Sequence, residues 1–376
     1  MRFSFNLPVN ILFGAGCVNE LGKRAGAFGK KALIVTGRGS TKKTGLLDRV
    51  IGLLAAEGLE SFVYDQVEPN PTVPQVYAGV KALKDFGADF VLGVGGGSIM
   101  DAAKCIAFMG KNDGDLMDYV YGRKASTEAF PAVLVPTTCG TGSEGNGFAV
   151  VTDPETGDKK SLRGTMIIAK LSVIDPELMT TMPRGVLADV GFDVLCHCME
   201  AFLSAAAIPV SDMYALEGIN LVRESLLPLY TGKGGPPEWE KLSWASTLGG
   251  MSIGIAGLTA PHALEHPASG LRNLTHGKGL AALTVPIIER SVAGAPARFA
   301  EISRRLGGKD EKDCAARVTD LLAGLDLAIG LGSQGVKAED VDWMAENAFK
   351  VSAAGLANNP VKFSIEEIKA IYRAAF

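Results

Sequence analysis

Short runs of β-branched and aliphatic residues alternate with amphipathic segments along the first half of the chain. Residues 46–58 and 74–87 place apolar side chains at helical spacing. Four apolar runs have the length and composition of buried strands: residues 31–36, 61–64, 89–94 and 132–136. Strands that alternate with helices in this way predict βαβ units and a parallel sheet.

The second half of the chain has a different pattern. After Pro183, most segments are rich in Ala and Leu with a period near 3.6. Gly and Pro mark the turns at residues 232–237, 307–308 and 358–360. A capping box from Ser364 to Glu367 predicts a final helix. We therefore expect an α/β domain with a parallel sheet over residues 1–182 and an all-helical domain over residues 183–376.

Composition narrows the class of protein. Of the 376 residues, 47% are hydrophobic and 21% are charged, which suits large cores in a globular protein. The net charge is -4 and the basic residues are scattered, so nucleic acid is not expected as a partner. No signal-peptide pattern and no long apolar stretch is present, which predicts a cytoplasmic protein without membrane contact. The six cysteines form no disulfide framework, and reduced thiols are expected.

All four histidines of the chain belong to one spaced pattern. Asp193 and His197 are four residues apart, as are His262 and His266, and His276 follows ten residues later. Residues four apart project from the same side of a helix, and imidazoles with one carboxylate suit Fe(II) or Zn(II). A single such pair is also typical of a solvated helix face. Here the neighbours are apolar, so buried histidines would need partners. The spacing does not decide which three histidines bind a metal.

Three further side chains near His197 have possible roles in metal binding. Cys196 and Cys198 lie about 200° apart around a helix, so they cannot both join His197 on one ion and are expected in the core. Accessible thiols beside an iron site would also make the protein sensitive to oxidation. Glu200 shares the face of Asp193 and His197. It is either a fourth ligand or a hydrogen-bonding partner of one.

Two glycine-rich turns follow predicted strands. Residues 95–98 read Gly-Gly-Gly-Ser and lead into a helix, while residues 136–144 combine threonine, serine and glycine. Glycine lets the backbone approach a phosphate, and a helix N-terminus attracts an anion. Two such turns in one sheet predict a dinucleotide cofactor. The usual GxGxxG fingerprint with a downstream acid is absent.

The glycine turns and the histidine pattern together resemble the iron-containing, or group III, alcohol dehydrogenases. GGGSIMDAAK is similar to the family signature GGGSxxDxAK, and PTTCGTGSE is similar to PTTAGTGSE. GFDVLCHCMEAFLS and PHALEHPASGLRNLTHG resemble the two metal-binding segments. The resemblance covers essentially the whole chain. It implies the dehydroquinate synthase-like fold, a nicotinamide cofactor, Fe(II) or another divalent ion, and a homodimer.

The resemblance also assigns residues. It implies that Asp193, His197, His262 and His276 hold the metal, and that His266 lies beside the nicotinamide as a contact or proton relay. Glu200 would then be a partner of a ligand. The cofactor contacts that we expect are Gly37, Arg38, Ser40, Lys43, Asn70, Gly96, Gly97, Ser98, Asp101, Thr137, Thr138, Thr141, Ser143, Lys159 and His266.

The turn after the first predicted strand, residues 31–36, bears on the choice between NAD and NADP. An NAD enzyme normally places an acid near the adenine ribose. In the family that this chain resembles, that acid commonly stands at the position of Gly37. The first acid after Gly37 in this chain is Asp48. Arg38, Ser40, Lys42 and Lys43 supply cations and a hydroxyl for a 2′-phosphate. We therefore expect NADP(H) to be preferred over NAD(H), the alternative being a merely solvated basic turn.

The implied reaction is hydride transfer between the cofactor and a small primary alcohol or diol, of the butanol, 1,3-propanediol or lactaldehyde type, with the ion as a Lewis acid. Glycerol dehydrogenase-like polyol oxidation is an alternative. A lyase of the dehydroquinate-synthase type would need a Lys/Arg cluster around the metal, and only Arg272 and Lys278 lie near the histidines in sequence. A non-catalytic metal-binding protein would need neither glycine turn. Glu265, Thr275 and residues 145–147 depart from the family pattern and leave the substrate open.

Overall fold

The computed structural model describes residues 2–376 and contains eight strands in that range. Their bounds are β1 Ile11–Phe13, β2 Lys31–Gly37, β3 Glu60–Val67, β4 Phe90–Gly95, β5 Ala132–Pro136, β6 Phe148–Thr152, β7 Lys159–Arg163 and β8 Leu171–Ile174. Six of them form a parallel sheet in the order β1-β8-β5-β4-β2-β3, while β6 and β7 form a separate antiparallel pair. The predicted parallel sheet is confirmed.

Fifteen α-helices accompany these strands in the described part of the chain. The first six lie among the strands: α1 Leu21–Ala25, α2 Ser40–Lys43, α3 Leu46–Ala56, α4 Val73–Phe86, α5 Gly97–Met109 and α6 Leu116–Val120. The other nine follow the last strand: α7 Arg184–Leu203, α8 Pro209–Tyr230, α9 Pro236–Ala256, α10 Ala260–Arg272, α11 His276–Ser291, α12 Pro296–Arg305, α13 Asp313–Gly324, α14 Val341–Asn358 and α15 Ile365–Ala374.

Helices cover both faces of the parallel sheet. One buried cluster joins the sheet to α4 and α5, and a second joins it to α1 and α3. The central strands are therefore apolar on both faces, as a parallel sheet between two helical layers requires. The change from strands to helices lies between Ile174 and Arg184. The domain boundary at residue 182 stays a prediction.

Four strands of the first half have no counterpart in the prediction: β1, β6, β7 and β8. β1 has only three residues, too few for a periodic signal. β6 and β7 form an antiparallel pair. Buried and partly buried residues alternate along β6 and are mixed along β7, and one side of the pair lines a pocket. This hairpin contacts α10 of the helical half. It therefore connects the sheet domain to the helix that carries two of the histidines.

The capping box from Ser364 to Glu367 is present and begins α15. All six cysteines are buried free thiols. Among residues 2–376, no helix is both long and apolar enough to cross a membrane.

Candidate metal and dinucleotide site

Three helices converge on the histidines. α7 carries Asp193 and His197 one turn apart, α10 carries His262 and His266 one turn apart, and His276 is the first residue of α11. The predicted helical spacing of both pairs is therefore present. α7 contacts both α10 and α11, so residues that are distant in sequence meet in one buried place.

One carboxylate oxygen lies at the centre of this group. Asp193 Oδ1 is 3.5 Å from Nε2 of His197, 3.3 Å from Nε2 of His262 and 3.6 Å from Nε2 of His276. Ligands 2.0–2.1 Å from a tetrahedral ion are about 3.4 Å apart. Asp193 Oδ1 and His262 Nε2 are buried and have no hydrogen-bond partner in the described chain. The four side chains therefore fit a divalent ion.

The four side chains are not equally close to one another. The ligand atoms of Asp193, His262 and His276 all lie within 4.8 Å of each other. His197 is outside that set but approaches Asp193, and its ring stacks on His262 with 4.6 Å between centres. The structure thus brings together all four residues that the resemblance assigns to the metal.

Glu200 contacts a histidine and not the centre of the group. Its Oε1 lies 2.5 Å from His262 Nδ1, and its Oε2 accepts a hydrogen bond of 2.8 Å from the Thr259 backbone N–H. Both oxygens are thereby used, so Glu200 acts as a partner of His262. His197 Nδ1 is 3.3 Å from the Gly140 carbonyl oxygen, which can only accept. These contacts leave Nε2 of both rings free to bind a metal.

Glu265 has a role that the sequence did not indicate. The side chain is fully buried, and its Oε2 lies 2.7 Å from His276 Nδ1, although the two groups are not aligned for a hydrogen bond. Lys159 Nζ is 3.6 Å from the same oxygen and donates a 2.9 Å hydrogen bond to Ser269 Oγ. The sequence marked Glu265 only as a departure from the family pattern. Its partners become visible only when α10, α11 and β7 are packed together.

The electrostatics of the group favour a cation. Burial opposes the charged form of His262, but Glu200 and Asp193 together raise the pKa of His262 to about 10. Burial likewise favours the neutral acid of Asp193, yet the surrounding histidines hold its pKa below the usual range. Burial lowers the pKa of His197 to about 4. The group stabilises one added positive charge, as a metal-binding pocket does.

His266 lies beside the four residues. Its ring centre is 6.1 Å from that of His262 and 6.0 Å from that of His276. Burial, together with Lys159, keeps the pKa of His266 well below its usual value, so the ring is neutral near pH 7. It lines the small pocket that also contains Ser98 and Asp101 from the sheet domain.

A long cleft follows the carboxyl ends of the parallel strands, where α/β proteins bind ligands. Its main part has a volume of about 770 Å³, ample for the adenosine half of a dinucleotide. Nine of the predicted cofactor contacts line it: Gly37, Arg38, Ser40, Asn70, Gly96, Gly97, Ser98, Thr138 and Thr141. At Gly97 a Cβ would lie 2.2 Å from Thr141 Cγ2, so only glycine fits there.

The other predicted cofactor contacts are distributed differently. Asp101, Ser143, Lys159 and His266 line the smaller pocket beside the metal-binding group. Asp101 Oδ1 accepts a 2.6 Å hydrogen bond from Ser143 Oγ, so these two groups are already paired. Lys43 and Thr137 line neither pocket. Lys43 is exposed on the short helix α2. As cofactor contacts, Lys43 and Thr137 stay predictions.

Comparison with known proteins identifies the family. The family model described as "Iron-containing alcohol dehydrogenase" matches residues 8–176, and the model "Fe-containing alcohol dehydrogenase family, C-terminal" matches residues 187–376. The chain belongs to the iron-containing alcohol dehydrogenase family. It is an oxidoreductase of the iron-type alcohol dehydrogenase class, and the resemblance carried by the four motifs is confirmed.

Relatives match over the full length of the enzyme. Alcohol dehydrogenase 4 of Schizosaccharomyces pombe is 34% identical over 377 aligned residues, which cover 99% of this chain and 89% of that protein. The 1,3-propanediol dehydrogenase of Klebsiella pneumoniae is 33% identical and is covered to 99%, with 100% of this chain. The solved structure of an archaeal halo-thermophilic alcohol dehydrogenase from a Red Sea brine pool superposes with a TM-score of 0.96 at 32% identity, covering 100% of this chain and 99% of that one.

The distribution of cations around the enzyme's histidines differs from the expectation. Arg272 points to Asp340 at 2.5 Å and lines neither pocket beside the histidines. The sequence indicated no further cations near the histidines beyond Arg272 and Lys278, and this expectation is wrong. Lys159, Lys160 and Arg163 of β7 line these pockets instead. They are close in space because the hairpin folds against α10, which the sequence alone did not indicate.

The enzyme's two cysteines beside His197 lie in the core, as expected. Cys196 is 1% exposed and Cys198 is fully buried. Burial raises the pKa of both thiols well above the usual range, so neither forms a thiolate near neutral pH. Accessibility was the condition for the expected sensitivity to oxidation. The structure removes that condition.

Proposed function

We propose that the enzyme interconverts small primary alcohols or diols and the matching aldehydes, with a divalent ion held by Asp193, His197, His262 and His276. The observation that carries the proposal is the position of Asp193 Oδ1, which faces three imidazole nitrogens at 3.3–3.6 Å. Fe(II) is the ion that we propose, since the chain belongs to the iron-containing family. Butanol, 1,3-propanediol and lactaldehyde represent the proposed substrate type.

The chain's residues divide the work of this reaction. When both are bound, the ion would supply Lewis acidity to the alcohol and the nicotinamide would accept hydride. Glu200 and Glu265 orient the rings of His262 and His276 through their Nδ1 atoms. His266, neutral and adjacent, is placed to accept a proton or contact the nicotinamide.

Apolar side chains form the rest of the small pocket and would exclude water from the reacting atoms. They are Phe148 and Val150 of β6, Ile253 of α9, and Leu258. Excluding water strengthens the electrostatic interactions inside such a site. Binding of the dinucleotide along the cleft would close one side of this pocket.

The test combines metal analysis with activity. Purified protein, stripped with a chelator and then reloaded with Fe(II), is assayed for the change in nicotinamide absorbance with a panel of primary alcohols and aldehydes. We expect activity only in the reloaded form. An exposed control, Glu289→Gln on α11, should behave as the parent protein does. Reloaded protein that binds iron but oxidises no alcohol and reduces no aldehyde would contradict the proposal.

We also propose that NADP(H) is the preferred cofactor. Gly37 at the cleft wall offers no carboxylate to the ribose, while Arg38 and Ser40 line the same wall. Arg38 is paired with Glu68 at 3.1 Å, and both side chains are largely exposed, so the pair is weak and a 2′-phosphate can replace Glu68. Two other expectations, a homodimer and a cytoplasmic location, stay predictions.

A further inference from the structure

A second pocket opens on the side of the metal-binding group away from the dinucleotide cleft. It has a volume of about 370 Å³. Ser161, Leu258, His262 and His266 line both this pocket and the small pocket beside the sheet. The two spaces therefore meet at the histidines, and a molecule in the second pocket can reach the proposed reaction site with one end.

The outer part of this pocket contains two cations, the half-buried Lys160 and the exposed Arg163. Within residues 2–376, no carboxylate lies within 4.0 Å of either one, and the Arg163 guanidinium makes no hydrogen bond. The guanidinium is held over the Phe148 ring at 4.6 Å. Lys160 Nζ donates to the Val351 carbonyl at 2.5 Å and keeps two further donors free. The protein thus holds both cations in place without neutralising them.

Asp158, the acid whose charge acts on Lys160, already has other partners. Asp158 contacts Lys350 at 2.6 Å and accepts hydrogen bonds from Tyr121 and Asn347. Burial, followed by the Arg163 charge, lowers the pKa of the half-buried Lys160. The two cations therefore disfavour one another. An anion bound by both side chains, which line the same pocket, would relieve that cost.

We propose that Arg163 and Lys160 bind an oxyanion at the far end of the substrate, so that the enzyme acts on ω-hydroxycarboxylates or phosphorylated alcohols and on the matching aldehydes. This rests on the proposed alcohol dehydrogenase activity. A guanidinium presents paired donors that match a carboxylate or a phosphate, and a lysine adds a point charge. The neutral hydroxyl of a diol would leave both cations unpaired.

The oxyanion takes no part in bond making. With the cofactor bound, the alcohol carbon would lose hydride to the oxidised nicotinamide and the hydroxyl proton would pass to solvent. The aldehyde would form with the carboxylate or phosphate unchanged. The charged end positions the chain of the substrate with its hydroxyl toward the histidines. Binding energy from a remote group of this kind raises kcat/KM for the substrate that carries it.

The first experiment compares kcat/KM for three compounds of equal length: 1,4-butanediol, 4-hydroxybutanoate and 4-hydroxybutyl phosphate. We expect one of the two anionic compounds to exceed the diol, and which of them does so identifies the oxyanion. Arg163→Met should lower kcat/KM for the anionic compound by about 10- to 100-fold and leave the diol unchanged. Arg163→Lys should recover part of the loss. Arg24→Met, an exposed arginine on α1, is the matched control.

The second experiment needs no turnover. Butanoate and inorganic phosphate are titrated by calorimetry into metal-free protein, where no ion can bind them. Binding that is lost in Arg163→Met and kept in Arg24→Met supports the pocket even if no alcohol is oxidised, which separates it from the proposed function. Active enzyme that prefers the diol, together with neither anion binding to the metal-free protein, overturns the proposal.

Discussion

His276 Nδ1 faces Glu265 Oε2 at 2.7 Å, and Lys159 Nζ approaches the same oxygen at 3.6 Å. His262 has an equivalent partner in Glu200 on α7. Two of the three proposed histidine ligands therefore have a buried carboxylate behind them. Such partners fix the ring orientation and raise the basicity of the nitrogen that faces the ion. The Lys159 charge offsets the second carboxylate in a fully buried place.

Replacing Glu265 by Ala should weaken metal binding by about 10- to 100-fold, because His276 loses the group that orients its ring. Glu265→Ala also leaves Lys159 buried without its anion, and we expect a loss of stability of about 3–5 kcal/mol. Competition with a chromophoric chelator measures the first effect and denaturant unfolding of the metal-free protein measures the second. Glu289→Gln, exposed on α11, serves as control. Parent-like metal affinity in Glu265→Ala would show that the contact has no positioning role.

Single alanine variants separate the proposed ligands from His266. Asp193→Ala, His197→Ala, His262→Ala and His276→Ala should each lose metal and activity together, because each removes an atom from the proposed coordination. His266→Ala should keep the metal and lose turnover on the order of 100-fold, the range of a lost proton-transfer group. Elemental analysis beside kcat decides. A His266→Ala protein as depleted of metal as His262→Ala would disprove the assignment.

The helical spacing of the metal-binding residues was predictable from sequence. Asp193, His197 and Glu200 follow one another at intervals of four and three residues on α7. A helix places residues at these intervals on one face. The choice among histidines came from family resemblance. In the structure His266 lies one turn beyond His262 on α10, lines the small pocket, and is not among the histidines that approach Asp193 within 4.0 Å.

The residues that the sequence could not place act across element boundaries. Glu265 meets His276 because α10 and α11 pack together, and Arg163 reaches the second pocket because the β6–β7 hairpin lies against α10. Glu68 reaches Arg38 from the neighbouring strand β3. A local pattern carries no information about such long-range pairs. A single departure from the family pattern, such as Glu265, does not show which residues that side chain contacts in the fold.

Thiol reactivity tests the burial of Cys196 and Cys198. Both are enclosed in the helical core, and burial raises the pKa of each thiol, so a thiol reagent should not label either in the native protein. After denaturation all six cysteines should react. Iron-loaded and zinc-loaded protein should show the same native result. Rapid native labelling of Cys196 or Cys198, located by peptide mass, would mean that this core opens readily.

Lys104 should be a structural requirement of the second glycine-rich turn. The side chain is fully buried, and its Nζ donates to the Asn146 carbonyl at 2.9 Å, the Phe148 carbonyl at 2.8 Å and Ser143 Oγ at 2.8 Å. Lys104→Met leaves these acceptors without a donor, and we expect a loss of about 3–5 kcal/mol of unfolding free energy. Lys23→Met, exposed on α1, should change stability by less than about 0.5 kcal/mol. Equal stability of the two variants would contradict this role.

The cofactor preference depends on the balance of charge beside Gly37. A Cβ there would lie 3.4 Å from the Val67 carbonyl oxygen, an ordinary contact, so Gly37→Asp can be made without clash. The new carboxylate would accept a bond from the ribose 2′-hydroxyl and repel a 2′-phosphate, shifting preference toward NAD(H). Glu68→Gln should act in the opposite direction, because it frees Arg38 from its 3.1 Å ion pair. Steady-state kcat/KM with both cofactors measures each shift. We expect the parent protein to favour NADP(H), and a higher value for NAD(H) would disprove the assignment of Arg38 as a phosphate contact.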